Sequence, residues 1–529
     1  MKLVNLENRR IVLVNAPPLG ILEPWYDVPD FPRGALANLA AYLRANGINN
    51  ILCIDAKLSR LNFDQTINKI LEFRPTHVGF TAFTNEIKPC AYIAAKVKQI
   101  DPSILTIVGG AHVSAIPEAT LREFLGFDVV VVGDGEETLL EIITGAEFSV
   151  IKGVTYRSYG VIKRNPERDR ILDQDNLPMP AWDMLPVGRH YWLQTAKGCP
   201  FKCVFCMNHN GRVVRKNSVE KAMDEIQFVI DNYHPEWIRF GDELFTADRG
   251  RTISFLEQWI ERGFHQKVKW DLQTHVKYVD REMLRLFKKA NITQLDMGVE
   301  SGDSVILKSM GKATNEEMIL RAFKMAHEEG IKTGSLLLLG QPNETIKSMQ
   351  NTIRLAVKIN SSIPMIGIMM PLPGTEVAKL AAKKQGGYSR ISFDWDEYSK
   401  NVGVAVEFTN FSRKQIERVQ FWGFVKVFVI NFRILELIQF VWKYRVEGWG
   451  NFKKMIWGAS QKENLFTQKP LDYDSILQEG EKPTAEDMYE SKEVFDAIQQ
   501  NEMRRTNKLR PDLIKEQMPV KLEKIDSYV

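Results

Sequence analysis

Three cysteines fall within eight residues, Cys199-Pro200-Phe201-Lys202-Cys203-Val204-Phe205-Cys206, a C-x3-C-x2-C spacing. Thiolates are the usual ligands of iron–sulfur clusters. Three of them can hold three irons of a four-iron cluster and leave the fourth iron open to bind and reduce a substrate. The spacing therefore points to chemistry more than to structure. A closed structural zinc site uses four protein ligands. His209 lies three residues after Cys206 and could complete a Cys3His set, so the cysteine loop alone leaves both readings open. Gly198 and Pro200 favour an irregular loop able to wrap a cluster.

The other two of the five cysteines, Cys53 and Cys90, sit alone in apolar segments. No disulfide framework is visible, which fits a reducing cytoplasm. The 529 residues are too many for one core and predict two or three domains. Apolar residues at 44% and charged residues at 26% match a globular chain. The excess of Lys and Arg over Asp and Glu is only +4, which argues against a dedicated nucleic-acid surface. Residues 1–10 lack the long apolar core of a signal peptide. No apolar run of about 18 residues predicts a membrane-spanning helix.

The elements that must position the cysteine loop are legible on both sides of it. Upstream, short apolar runs at 11–15, 50–54, 77–83, 104–108 and 128–132 read as strands. Helical periodicity at 34–46, 63–73, 88–100, 116–125 and 136–144 alternates with them. Five such pairs predict a doubly wound, Rossmann-like parallel sheet, which binds ligands at its strand carboxyl ends. Those ends carry Thr81 and Thr84, then Gly109-Gly110-Ala111-His112, then Gly133-Asp134-Gly135-Glu136. Residues 150–164 read as a hairpin, and the prolines at 166, 178, 180 and 186 mark a linker with a short helix near Trp182.

Downstream, strands are expected at 191–196, 236–240, 268–273, 294–299, 332–339 and 364–370. Helices lie between them: Ser218 and Asp280 cap two, Thr314 with Glu317 forms a capping box for a third, and a fourth runs from Glu344 to about Ile359. Residues 412–445 look helical. They are read as a helix packed on the preceding domain or, alternatively, as a membrane-surface segment serving a lipid-like substrate. The tail after Gln461 is polar and charged, with candidate helices near 484–505.

The first part resembles the cobalamin-binding domain at the N-terminus of many radical SAM enzymes, on the order strand, Gly-Gly-x-His, strand, Gly-Asp-Gly-Glu. That resemblance implies cobalamin contacts from Thr81, Thr84, Gly109, Gly110, Gly133, Gly135 and Glu136. His112 is read either as a corrin or tail contact or as a satisfied structural residue. Where cobalamin-dependent mutases carry Asp-x-His, this chain has Asp55-Ala56-Lys57, so no histidine from this loop reaches cobalt.

The second part resembles the radical SAM barrel, an open (β/α)6 barrel, on Gly241-Asp242-Glu243, Gly298-Val299-Glu300-Ser301-Gly302, Gly340-Gln341-Pro342-Asn343-Glu344-Thr345 and Pro371-Leu372-Pro373-Gly374-Thr375. The resemblance implies that Cys199, Cys203 and Cys206 hold a [4Fe-4S] cluster, with Phe205 as an aromatic shield. It also implies that Asp242, Glu243, Glu300 and Ser301 place S-adenosylmethionine (SAM). Gln273 and His275 stand where relatives often show other residues.

The domains expected are 1–148 for cobalamin, 149–190 for hairpin and linker, 191–380 for the barrel and 381–529 for a mostly helical region. By family resemblance the activity is methylation of an unactivated carbon. A 5′-deoxyadenosyl radical takes a hydrogen from the substrate, and methylcobalamin supplies the methyl group. Ring formation, rearrangement or hydroxylation without methyl transfer is the second reading, and a non-catalytic cobalamin carrier or sensor the third. Implied partners are a small-molecule or lipid-like substrate and an electron donor such as flavodoxin or ferredoxin, with peripheral membrane contact.

Overall fold

The computed structural model describes residues 8–18, 31–398 and 405–443. The run Ile11–Asn15 forms β1. It shares a sheet with β2 (Ile51–Asp55), β3 (His77–Thr81), β4 (Leu105–Gly109) and β5 (Val129–Val131). These five pair in parallel in the order β2-β1-β3-β4-β5. Their side chains alternate between two covered faces. Leu13 and Ile107 pack with Leu36, Ala40 and Leu43, whereas Val12, Val14 and Val78 pack with Ile67 and Ile70. Burial on both faces is why these strands read as unbroken apolar runs.

The covering helices are α1 (Gly34–Ala45), α2 (Phe63–Glu72), α3 (Ile87–Ile100), the pair α4 (Ala111–Ala115) and α5 (Pro117–Glu123), and α6 (Glu136–Thr144). The chain leaves β1 towards β2 and returns past it to β3. This reversal opens a crevice at the carboxyl ends of β1 and β3.

The hairpin assigned to the linker belongs to this sheet instead. It forms β6 (Val154–Ser158) and β7 (Val161–Arg164), antiparallel beyond β5. Without it, β5 would present an unpaired edge of backbone groups. The stretch that follows is fastened to both sides. Ala181 N donates to Ala37 O (3.0 Å), and the buried Trp182 indole donates to Glu225 (3.3 Å).

The expected strand 191–196 is broken. β8 (His190–Leu193) stops because Thr195 N turns to the Asp242 carboxylate (2.7 Å). Ala196–Lys197 (β9) then pairs antiparallel with Arg215–Lys216 (β10), which closes the base of the cysteine loop. With β11 (Trp237–Phe240), β12 (Lys269–His275), β13 (Gln294–Glu300), β14 (Thr333–Leu339) and β15 (Ile363–Ile368), β8 makes a six-stranded parallel sheet. Its order is β8-β11-β12-β13-β14-β15, and its edge strands are β8 and β15. This is the open barrel expected.

Outside it lie α7 (Val219–Tyr233), α8 (Arg249–Glu261), α9 (Phe264–Lys267), α10 (Arg281–Lys289), α11 (Ser304–Ser309), α12 (Glu316–Glu328) and α13 (Ile346–Ile359). Ser218 and Asp280 cap α7 and α10 as expected. The cap of α12 is a correction: Asn315 accepts from Met318 N (2.8 Å), while the Thr314 hydroxyl is buried without a partner. The sequence also hides α8. Its first turn is Arg249-Gly250-Arg251, and its fully buried apolar side chains are Phe255, Leu256 and Trp259.

After the barrel come α14 (Glu376–Ala382), the antiparallel pair β16 (Tyr388–Ile391) and β17 (Val406–Phe408), and then α15 (Arg413–Ile430) and α16 (Ile434–Lys443). The single helix expected over 412–445 is split at Phe432, which has φ 59°. There the Arg433 guanidinium donates to the carbonyls of Ser361 (2.6 Å) and Ser362 (2.7 Å), redirecting the chain. Between β16 and β17 the chain returns to the first domain. The Trp395 indole donates to both Glu123 oxygens (2.8 Å each), and Lys88 pairs with Asp394 and Asp396. The candidate helices near 484–505 lie outside the described residues.

Candidate functional site

The cysteine loop is held by backbone bonds and two acids. Cys199 N donates to Gly211 O (3.0 Å), Cys206 N to Cys203 O (3.1 Å) and Val204 N to Met310 O (3.1 Å). Gly198 has φ 96°, and a Cβ there would sit 2.2 Å from Val213 O, so only glycine opens this loop. Glu243 accepts from Gly198 N (3.0 Å) and from the Asn210 amide. Asp242 accepts from Thr195 N and from Thr195 Oγ1 (2.8 Å), and burial pushes its carboxyl up to about 6. Both acids that the family resemblance assigns to SAM brace the loop in this structure.

All three thiols are free of disulfides. Cys199 and Cys203 are half-buried and Cys206 is exposed. Burial pushes all three thiols up, Cys203 to about 11, with Lys312 acting against it there. Loading iron on this loop must expel those protons. Among the described residues no three His, Cys, Asp or Glu side chains gather as around one ion. Three reduced thiols on one irregular loop, with a buried cation nearby, fit a cluster that spreads its ligands over three irons.

The strand ends beside the loop form a rim. Glu300 closes β13 with φ 63° and is ion-paired to Lys312 Nζ, both side chains nearly buried. Gly298 makes room for this pair, since a Cβ there would lie 2.3 Å from Lys312 Nζ. His275, at the end of β12, stacks on Phe201 of the cysteine loop (4.5 Å between ring centres, 13° between planes). Burial holds it neutral, down to about 3, and its Nε2 has no partner. Gln341, at the end of β14, is buried with neither amide atom bonded. Such an orphaned amide is the kind of group a ligand satisfies. Ser301 is brought elsewhere: its hydroxyl meets Thr352 Oγ1 (3.1 Å) beneath α13. Inside the barrel, Arg239 bridges Asp271 (2.9 Å) and Asp296 (2.7 Å).

The first domain presents its own rim. Thr81 and Thr84 are buried, and Thr84 Oγ1 has no partner. Gly110, following Gly109, has φ 110°, and a Cβ there would lie 2.6 Å from Ala82 O, so the backbone runs close beneath the crevice. Lys57, standing where a cobalt-ligating histidine would be, pairs with Glu86, which also meets Arg33 (3.0 Å). Burial alone would raise the Glu86 carboxyl, but Arg33 and Lys57 bring it down to about 2. His112 lies under the rim. It is fully buried, edge-on to Trp395 at 4.8 Å, with both ring nitrogens unpartnered and burial lowering it to about 3. The unbonded buried hydroxyl of Thr84, a close-running backbone and the polar Lys57–Glu86 pair fit a large polar ring ligand such as cobalamin.

The two rims are joined. Asp134, between Gly133 and Gly135, pairs with Arg215 at the base of the cysteine loop and with Arg170 (3.3 Å). Arg170 also donates to His209 O (2.8 Å), and Glu136 faces Lys197 (3.7 Å). Motif reading found Gly133, Gly135 and Glu136 but missed Asp134, Arg215, Lys312 and Gln341 as members of the site. Only Asp134 and Gln341 had a signal, lying inside motifs already recognised.

The chain matches two families, the B12 binding domain over residues 28–143 and the Radical SAM superfamily over 193–356. It is 27% identical over 424 residues to an uncharacterised methyltransferase of Pyrococcus horikoshii, covering 78% of this chain and 87% of that one. It is 27% identical over 390 residues to the anaerobic magnesium-protoporphyrin IX monomethyl ester cyclase of Rubrivivax gelatinosus, covering 70% and 69%. Among solved structures, the cobalamin-dependent SAM radical enzyme OxsB, with aqua-cobalamin and SAM bound, aligns with a TM-score of 0.63 at 17% identity, over 98% of this chain and 82% of that one. That likeness shows the shared fold. Both domains together imply a [4Fe-4S] cluster, SAM and cobalamin as cofactors. With its B12-binding domain ahead of its radical SAM domain, this chain belongs to the cobalamin-dependent radical SAM enzymes.

Proposed function

We propose that this enzyme transfers a methyl group to an unactivated carbon of a small or lipid-like molecule. The observation that carries the reading is the pairing of Asp134 with Arg215 and of Glu136 with Lys197, which brings the glycine-rich strand end of the first domain against the base of the cysteine loop. When bound, the cluster and SAM supply a radical, and cobalamin supplies the methyl group. The chain's own residues orient and shield. Asp242 and Glu243 fix the cysteine loop, Lys312 and Glu300 set the charge at the SAM rim, and the Phe201–His275 stack covers the loop from water. The methyltransferase from Pyrococcus horikoshii supports this reading.

Ring formation without methyl transfer is the second reading, and the cyclase from Rubrivivax gelatinosus favours it. Electrons come from a flavodoxin- or ferredoxin-type donor in the cytoplasm, where free thiols persist. The test uses reduced, cluster-loaded holoenzyme with methyl-deuterated SAM and a small-molecule extract. Methyl transfer yields a deuterated product together with 5′-deoxyadenosine. A product without deuterium, formed alongside 5′-deoxyadenosine, contradicts methyl transfer and favours ring formation.

A further inference from the structure

The outer side of α15 and α16 is apolar where a covered surface helix would be polar. Phe421 is 61%, Trp422 55%, Phe432 92% and Leu435 76% exposed, with Ile438 and Val441 continuing the surface. Monomers rarely leave so many large apolar side chains together in water, and such patches mark interaction sites. Charge narrows the partner. Residues 413–443 hold six basic side chains against two acidic ones. Those two acids, Glu417 and Glu436, are engaged by Arg413 and Arg433. Lys414, Arg418 and Lys426 are exposed beside the aromatic residues. The sequence continues in kind with Trp449, Phe452, Lys453, Lys454 and Trp457.

Trp and Phe interleaved with Lys and Arg suit the headgroup layer of a bilayer, where rings bury and cations meet anionic lipid. A protein partner would not require both features together. Among the described residues no helix is long and apolar enough to cross a membrane. We propose that α15 and α16 dock this enzyme on an anionic lipid bilayer. Arg433 ties this surface to Ser361 and Ser362, which lead into β15. The face runs along the side of the barrel, from Ile416 beside Gly340, past Gln420 on Ile366 O (2.7 Å), to Arg433 at the start of β15. The proposal does not depend on methyl transfer.

The test is co-sedimentation of the full-length protein with vesicles of phosphatidylcholine, with and without phosphatidylglycerol. The expected result is binding to phosphatidylglycerol vesicles that weakens with salt. The variant Trp422→Ser/Phe432→Ser/Leu435→Ser, with unchanged circular dichroism and SAM cleavage, should partition roughly 100-fold less. Three results overturn the proposal: no vesicle binding by the unaltered protein, equal binding by the variant, or a dimer in solution that the variant turns into a monomer. The last would make the occupant a second copy of this chain.

Discussion

Replacing Asp134 by asparagine should loosen the cysteine loop far from the residue itself. The Asp134 carboxylate is 6% exposed and the Arg215 side chain 1%, so the pair is desolvated and screened little by salt. Breaking such a pair from one side costs about 3–5 kcal/mol, because the remaining charge is left buried. Arg215 keeps two carbonyl partners, Ile171 O and Asn210 O (3.0 Å each), and the oxygen of the substituted amide can still accept one bond. The lower end, about 3 kcal/mol, is therefore expected.

The assay is native-state hydrogen exchange at the amides of the loop, such as Cys199 N, which bonds Gly211 O. If the pair holds the loop closed, exchange there speeds up by roughly 100-fold in Asp134→Asn. Amides in the core of α1 should change little. Removing Arg215 as well, with Arg215→Met, should restore part of the protection, because no buried charge is then stranded. A coupling of about 2 kcal/mol is expected from the double-mutant cycle. Exchange altered less than about 3-fold, or additive single and double effects, would refute the claim that this pair clamps the loop.

Three other outcomes follow from the geometry. Lys312→Met strands the Glu300 carboxylate at the rim and should weaken SAM binding by roughly 10- to 100-fold, read by equilibrium dialysis with cluster content unchanged. Gln341→Leu removes the orphaned amide; it should leave the melting temperature within about 2 °C yet raise the KM for SAM several-fold. Burial pushes the Glu123 carboxyl up to about 8, with Trp395 and Lys88 acting against it, so the fold holds a proton that the unfolded chain releases near pH 4.5. The stability this group contributes is whole below pH 4.5 and lost as pH rises towards 8. Glu123→Gln should flatten that decline by on the order of 5 °C in melting temperature between acid and mildly alkaline buffer.

Local chemistry made most of the fold legible. Strands buried on both faces announce themselves as runs such as Ile-Val-Leu-Val, and Ser218 and Asp280 mark helix starts by their own side chains. What stayed hidden depends on partners distant in sequence. Asp134 and Arg215 are 81 residues apart, and Trp395 reaches Glu123 across 272. No window contains both members, so neither pair has a periodic signature. Lys312 is only 12 residues after Glu300 but lies beyond α11, outside the Gly-Val-Glu-Ser-Gly motif. The His112 position was readable and its surroundings were not, because Trp395 comes from the chain after the barrel. The hairpin was found, but nothing local tells whether a hairpin stands alone or finishes a sheet edge.

The proposed chemistry turns on Cys199, Cys203 and Cys206 carrying a cluster that cleaves SAM beside a cobalamin-binding domain. The most direct measurement is 5′-deoxyadenosine formed by the reduced holoenzyme and SAM, set against Cys203→Ala with its cobalamin content measured alongside. Expected are 5′-deoxyadenosine from the unaltered enzyme, near-total loss in the variant, and equal cobalamin in both. Unchanged 5′-deoxyadenosine in Cys203→Ala, or none from cluster-loaded enzyme, would contradict that chemistry.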